Sequence, residues 1–360
     1  MRQRAGRHRR RRHPPPPPLR RTRRGRLRRL VRHRAPRPRH RGGRLRGGRA
    51  AGDRALSWAV DLSTEGRALV AAVTGGREPV SRRVRAGRLG LHVLVWGREG
   101  DPTAVCLHGN GGHAHWWDPL LPALVPGWRL VAPDLRGHGE SEWAEPPRYR
   151  IEDFAADLDL VLAALAPGRV VLVGHSMGGR IAAWYAAHHP EQMDGLALLD
   201  SRMEPVDRRA ASVWRARVAG QRHGRGYPTR AAALAAFRFV PDEAGVPPAI
   251  VADLAHHAVV ERAPGDWTFR FDRAVLSLEG DGAGNLLELL RRVRCPAIVL
   301  GGTASRVMDE AGLGATARAL GGAPVHLFPA GHHFLVAHAP AVGRVLRGFL
   351  DGLPSRGSGR

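Results

Sequence analysis

The chain reads as an α/β protein, a mostly parallel central sheet flanked by helices and interrupted by an inserted helical lid. Three observations predict this. Short apolar runs alternate with stretches of helical spacing, the rhythm of buried parallel strands and their crossover helices. One such run, Val170-Val171-Leu172-Val173, passes through Gly174-His175-Ser176-Met177-Gly178-Gly179 straight into the helix-like stretch Arg180 to Ala187. The rhythm then lapses over about residues 202–290 and resumes afterwards, as expected of an insertion over the carboxyl edge of the sheet, where such folds place ligands.

The elements follow in order. Leu91-His92-Val93-Leu94-Val95-Trp96 alternates like an early strand, and Gly97 to Pro102 is turn-rich. Ala104-Val105-Cys106-Leu107 is a buried strand running into His108-Gly109-Asn110-Gly111-Gly112, and Trp128 to Pro133 is the next, ending in Asp134-Leu135-Arg136-Gly137-His138-Gly139-Glu140-Ser141. Ile151, Phe154, Leu158, Val161, Leu162 and Leu165 stand at helical spacing. Leu196-Ala197-Leu198-Leu199 closes on Asp200. Beyond the insertion come Ala297-Ile298-Val299-Leu300, then Val325-His326-Leu327-Phe328, then a last helix from Ala341 to Leu350. The ordered domain is expected over residues 84–351, after a transitional segment 51–83 and before a short tail, 352–360.

Charge separates one further segment. Residues 1–50 hold 22 arginines and no acid, so they carry +22 of the formal +25, and Pro14 to Pro18 leave them little apolar surface to bury. Such a segment is expected to be disordered. Its preferred reading is an inert or mis-assigned leader, since the chain contains no lysine and looks strongly GC-biased. Contact with nucleic acid through phosphate neutralisation, or a transit-like role, stays open beside it. No apolar run is long enough to span a membrane. Cys106 and Cys295 sit in or beside apolar strands and read as buried, inert thiols, which points to a cytoplasmic location. Oligomeric state is not legible.

The strand, Gly-x-Ser-x-Gly and helix sequence is the context of a nucleophile elbow, in which Ser176 is lifted clear of the sheet edge. A serine hydroxyl needs a base to take its proton. His332, on the loop Pro329-Ala330-Gly331-His332-His333-Phe334 between the last strand and the last helix, is placed to swing over it, while His333 is expected to pack. The developing oxyanion needs fixed donors. The N–H of Met177 is one, and the His108-Gly109-Asn110 turn supplies the other through the N–H of Asn110. That glycine-rich loop lacks the spacing of either phosphate-binding pattern, so a nucleotide is not expected.

His108-Gly109, Asp134 to Ser141, Gly174 to Gly179 and Gly331-His332 stand in the order of the α/β-hydrolase fold. Over roughly residues 84–351 the chain resembles the lid-bearing bacterial serine hydrolases of that superfamily. The resemblance implies the fold and a hydrolase. It also argues against epoxide hydrolases and dehalogenases, which carry an aspartate where Ser176 stands. One position departs. In many relatives the triad acid follows the strand after the lid, and here that place holds Ser305. Asp200, at the end of the preceding strand, is expected to serve instead, as it does in some relatives, with Asp309 the alternative.

The expected activity is therefore hydrolysis of an ester, lactone or thioester of a mainly apolar acid through an acyl-enzyme, with no metal or organic cofactor and a small-molecule substrate as partner. Carbon–carbon bond hydrolysis on the same constellation is the alternative, and a non-catalytic ligand-binding member of the fold is a third reading, supported only by Ser305. Asp134 and Arg136 read as structural. Trp116, Trp117, Trp214 and Trp267 are candidates for the substrate pocket, with core packing as the competing role, and Tyr227 is weighed in the same way.

Overall fold

Strand alternation in this chain sorts side chains onto two opposed cores. The computed structural model describes residues 71, 74–166, 168–204, 224–278 and 285–354, all within the larger of two units, Leu56–Arg360. The arginine-rich segment 1–50, Trp214 and the last residues of the tail lie outside the described residues.

Eight strands form one sheet: β1 (Val80–Ala86), β2 (Leu89–Trp96), β3 (Thr103–Leu107), β4 (Arg129–Pro133), β5 (Val170–His175), β6 (Met193–Leu199), β9 (Ala297–Gly302) and β10 (Val325–Phe328). Their order is β1-β2-β4-β3-β5-β6-β9-β10. The first three pair antiparallel and all later neighbours pair parallel. In β3, Val105 and Leu107 join the core under the helices Ile151–Leu165 and Met177–His188. Ala104 and Cys106 face the opposite core, with Trp117, Leu120, Val342 and Leu346. Both faces of β3 and β5 are thus covered, which explains their unbroken apolar sequence.

The sheet begins at Val80, ahead of the expected boundary at residue 84. Arg82, Arg83 and Arg85 of β1 are exposed and only Val84 and Ala86 are buried, so this edge strand carries too few apolar side chains to stand out by composition. Cationic side chains on an edge also discourage pairing with another chain. Cys106 is fully buried, and burial pushes its thiol up, whereas Cys295 is half-buried and burial pushes it up to about 11. Both are free, consistent with inert thiols.

Within the insertion the described stretch 224–278 holds short helices, among them Arg230–Ala235 and Pro248–Ala258, and an antiparallel hairpin of β7 (Val259–Ala263) and β8 (Asp266–Phe269). The hairpin is absent from the sequence reading, which has this stretch helical and irregular. The strands β3, β5, β6, β9 and β10 all deliver their carboxyl ends to one edge. There β3 lies between β4 and β5, so successive connections leave in opposite directions and open a crevice.

Candidate active site

Ser176 follows β5 with φ 54° and ψ −118°, a conformation that L residues adopt only when the surroundings enforce it. Its N–H donates to the Leu199 carbonyl at 3.0 Å, and its own carbonyl accepts from the N–H of Gly179 and Arg180. Gly178 makes the turn possible by close approach, because a Cβ there would sit 2.1 Å from the Leu107 carbonyl oxygen of β3. Met177 is the first residue of the helix Met177–His188, where backbone N–H groups have no acceptor within the helix.

The loop after β10 carries His332, whose Nδ1–H donates to Asp200 Oδ2 at 2.5 Å. Both side chains are buried, Asp200 completely. Asp200 directly follows β6, also at positive φ (45°), and its N–H donates to the Leu300 carbonyl at 2.8 Å. With Nδ1–H committed to the carboxylate, the proton-free nitrogen of His332 is Nε2. His332 and Ser176 line one cavity of about 140 Å³ together with Gly109, Asn110, Gly112, Trp116, His175, Val240, Pro241, Val307 and His333.

The two candidate acids part here. Asp309 is exposed and accepts from the Gly312 N–H at 2.8 Å, capping the helix Glu310–Ala319. Asp200 alone of the two meets His332. Ser305, in the place of the absent acid, donates its hydroxyl to the same Asp200 Oδ2 at 2.5 Å. Its oxygen in turn accepts from the N–H groups of Val307 (3.1 Å) and Met308 (3.2 Å).

Asp134 and Arg136 hold the scaffold beneath. The Asp134 carboxylate accepts from His92, from the Ala114 N–H at 2.6 Å and from the Glu140 N–H at 2.8 Å, and its carboxyl is held well below the usual range. Burial opposes that shift, and the donors and nearby histidines outweigh it. Arg136 makes a two-pronged pair with Asp157 at 2.6 Å on each prong.

Compared with known protein families, residues 102–339 match the one described as alpha/beta hydrolase fold. The chain belongs to the α/β-hydrolase family. It is 31% identical over 287 residues to an esterase of Mycobacterium tuberculosis, covering 78% of this chain and 92% of the relative. It is 28% identical over 278 residues to 2-(acetamidomethylene)succinate hydrolase of Mesorhizobium japonicum, covering 76% and 95%. Among solved structures, E-2-(acetamidomethylene)succinate hydrolase superposes with a TM-score of 0.66 at 25% identity, over 76% of this chain and 100% of the other. The mycobacterial esterase superposes with 0.63 at 28% identity, over 79% and 96%. The protein is a hydrolase, and none of its described helices is long and apolar enough to cross a membrane.

Two residues of this hydrolase's site escaped sequence reasoning. His175 donates Nε2–H to the His332 carbonyl at 3.0 Å, and burial, then the charges of His332 and His333, pull its own proton affinity far down. Glu243, from the insertion, accepts the N–H of Gly331 at 2.8 Å on one oxygen and that of His333 at 2.7 Å on the other. No spacing in the sequence links Glu243 to a loop 88 residues away. The x position of the elbow pattern was the available signal for His175.

Of the pocket candidates, Trp116 lines the cavity and stacks against His175 at 6.1 Å between ring centroids. Trp117 is instead buried in the core, and Trp267 lies in β8, bridged to Tyr227, away from the cavity lining. Asn110 does line it. His333 is buried, with the Val240 and Pro241 carbonyls near its ring but at no hydrogen-bonding geometry, and burial lowers it to about 3. Among the described residues, His175, His332 and His333 are the one group whose ligating atoms fall close enough for a metal, within 4.8 Å of one another. Three imidazoles suit a transition metal. An ion there would occupy nitrogens that His332 needs for proton transfer.

Proposed function

We propose that the protein is a carboxylic ester hydrolase working through an acyl-enzyme on Ser176, with His332 as base and Asp200 as the acid that orients it. The observation that carries this is the 2.5 Å bond from His332 Nδ1 to Asp200, made beside the cavity that Ser176 enters. In that tautomer His332 Nε2 takes the Ser176 Oγ proton as the oxygen attacks the acyl carbon. Asp200 stabilises the imidazolium so formed. The N–H groups of Met177 and Asn110 are the donors assigned to the oxyanion. The proton then passes from Nε2 to the leaving oxygen. A water deprotonated by His332 attacks the acyl carbon and releases Ser176, so the sum is one ester and one water to one acid and one alcohol.

The lining supports an apolar acyl group. Trp116, Val240, Pro241 and Val307 face the cavity. From Trp116 a chain of rings runs through Phe239 (5.7 Å) to Phe237 (5.5 Å further). There a second cavity of about 310 Å³ opens between Leu234, Val251 and Ala255 of the insertion, which acts as the lid. A dicarboxylate such as the one in the name of the Mesorhizobium relative calls for a cation, and no arginine lines the catalytic cavity among the described residues. This favours ester, lactone or thioester substrates of apolar acids over that relative's substrate.

A fluorophosphonate probe and a panel of p-nitrophenyl esters test the reading together. Labelling and turnover are expected in the native chain and absent in Ser176→Ala. A folded native chain that takes no label sinks it.

A further inference from the structure

The position that looks vacant in sequence is occupied in space. Ser305 is the first residue past the turn that follows β9, where a triad acid would have stood, and its hydroxyl lies 2.5 Å from Asp200 Oδ2. That is the oxygen that accepts from His332 Nδ1, also at 2.5 Å. A hydroxyl has one proton and two lone pairs. The N–H groups of Val307 and Met308 point at the Ser305 oxygen and take up its acceptor capacity, at 3.1 and 3.2 Å. The only direction left for its proton is the carboxylate. Among the described residues the other Asp200 oxygen has a single longer contact, the Gly302 N–H at 3.4 Å. Asp200 therefore depends on Ser305 for its strongest fixed donor apart from His332 itself.

We propose that Ser305 is a positioning residue for hydrolysis: its hydroxyl, locked by two backbone donors, fixes the Asp200 carboxylate at the angle and charge that orient His332. The inference rests on the reading of Ser176, His332 and Asp200 given above. Two consequences separate it from a merely structural serine. Without the hydroxyl the carboxylate still bonds Nδ1 but at no fixed angle, so His332 is aimed less well at Ser176 and kcat falls while substrate binding does not. The carboxylate also loses a competitor for its charge and holds an imidazolium more tightly. The acid limb of the kcat/KM profile then moves to higher pH.

The test is Ser305→Ala, Ser305→Thr and Ser305→Cys in the full chain, followed by kcat, KM, the pH profile and thermal melting. Ser305→Ala is expected to lower kcat on the order of tenfold, the rate equivalent of one hydrogen bond to a charged group. KM stays near its native value and the acid limb rises. Ser305→Thr, which keeps a hydroxyl, recovers both. Ser305→Cys, similar in size but a weak donor, follows the alanine variant and replaces it if alanine prevents folding. Native kcat with an unmoved limb in both donor-poor variants overturns the proposal, as does a loss of kcat with no limb shift. Ser176→Ala and His332→Ala run alongside. If either keeps native turnover, the underlying triad reading has failed, whereas with both inactive a failed Ser305 series counts against Ser305 alone.

Discussion

Ser176 and Asp200 are the only non-glycine residues at positive φ among the described residues, at 54° and 45°. They end adjacent parallel strands, and the Ser176 N–H bonds the carbonyl of Leu199, the residue just before Asp200. Backbone strain is thus confined to the two strand ends that present the nucleophile and the acid. Ser176 bears the greater part, since ψ −118° takes it outside the left-handed well that Asp tolerates.

Ser176→Gly and Ser176→Ala should therefore separate activity from stability. Both abolish ester turnover. The glycine variant relieves strain worth about 1–3 kcal/mol, offset by roughly 0.5–1 kcal/mol of extra unfolded-chain freedom. Its Tm is expected above native, while that of the alanine variant is not. Equal melting temperatures for the two would remove the strain argument.

Glu243 binds the insertion to the catalytic loop. One carboxylate holds the N–H on each side of His332, so the imidazole is held by Asp200 while His175, at the His332 carbonyl, and Glu243, at the flanking N–H groups, hold its backbone. Glu243→Ala leaves two N–H groups without this acceptor. A kcat loss on the order of tenfold is expected from hydrogen bonds to a charged group, with faster amide exchange at residues 329–334. Native turnover with unchanged protection of that loop would show that Glu243 holds only the insertion.

What was legible in the chain follows from how local each signal is. The elbow is contained in one strand, one turn and one helix, so Ser176 and Met177 could be named from neighbouring residues. His332 was legible from its place between a final strand and a final helix. Asp200 was legible from its place at the end of a strand and from the use of that place in some relatives, whereas Ser305 reads as a gap because a hydroxyl donor to a carboxylate 105 residues away leaves no periodic mark. Trp116 and Trp117 show a second limit. These adjacent residues on the short 3-10 helix Ala114–Leu120 are both buried in one core, and only Trp116 also lines the cavity. The β7–β8 hairpin was missed because β7 is mostly exposed beyond Val260, and its polar residues look like loop.

Where the insertion helix Pro248–Ala258 meets the helix Ala114–Leu120, carboxylates and imidazoles are buried together. Asp253 is pushed up to about 7, by burial first and by the nearby Asp118 charge second, with His115 opposing. His113, His115, His256, His257, Asp118, Asp134, Arg230 and Arg270 also face this cluster, and His115 stacks on His257 at 3.4 Å. An acid raised above its unfolded value of 3.8 contributes stability that is complete below that value and is lost as pH rises towards about 7. His115, also raised, has the same sign. Asp253→Asn mimics the neutral acid without the penalty. Its Tm advantage over the native chain is expected to be small at pH 4 and to grow up to pH 8. A gap independent of pH would place the Asp253 penalty elsewhere.

Seven other histidines act in the opposite sense, and they dominate the acid side. Burial lowers His108 and His256 to about 4 and His113, His138 and His333 to about 3, and lowers His175 and His257 as well. Each is held neutral in the fold but protonates near its ordinary value of 6.5 once unfolded. The stability they contribute is therefore complete above about pH 6.5 and drains away as pH falls from there towards 4. Most of them crowd the carboxyl edge of the sheet, around the oxyanion loop, the elbow and the His332 loop, so the site should loosen before the distal core. Thermal melts from pH 8 to pH 5 should show Tm falling steadily below about pH 6.5, with amide protection lost first around residues 108–115 and 329–334. A Tm unchanged between pH 7 and pH 5 would mean that these imidazoles are solvated in the folded protein, contrary to their burial here.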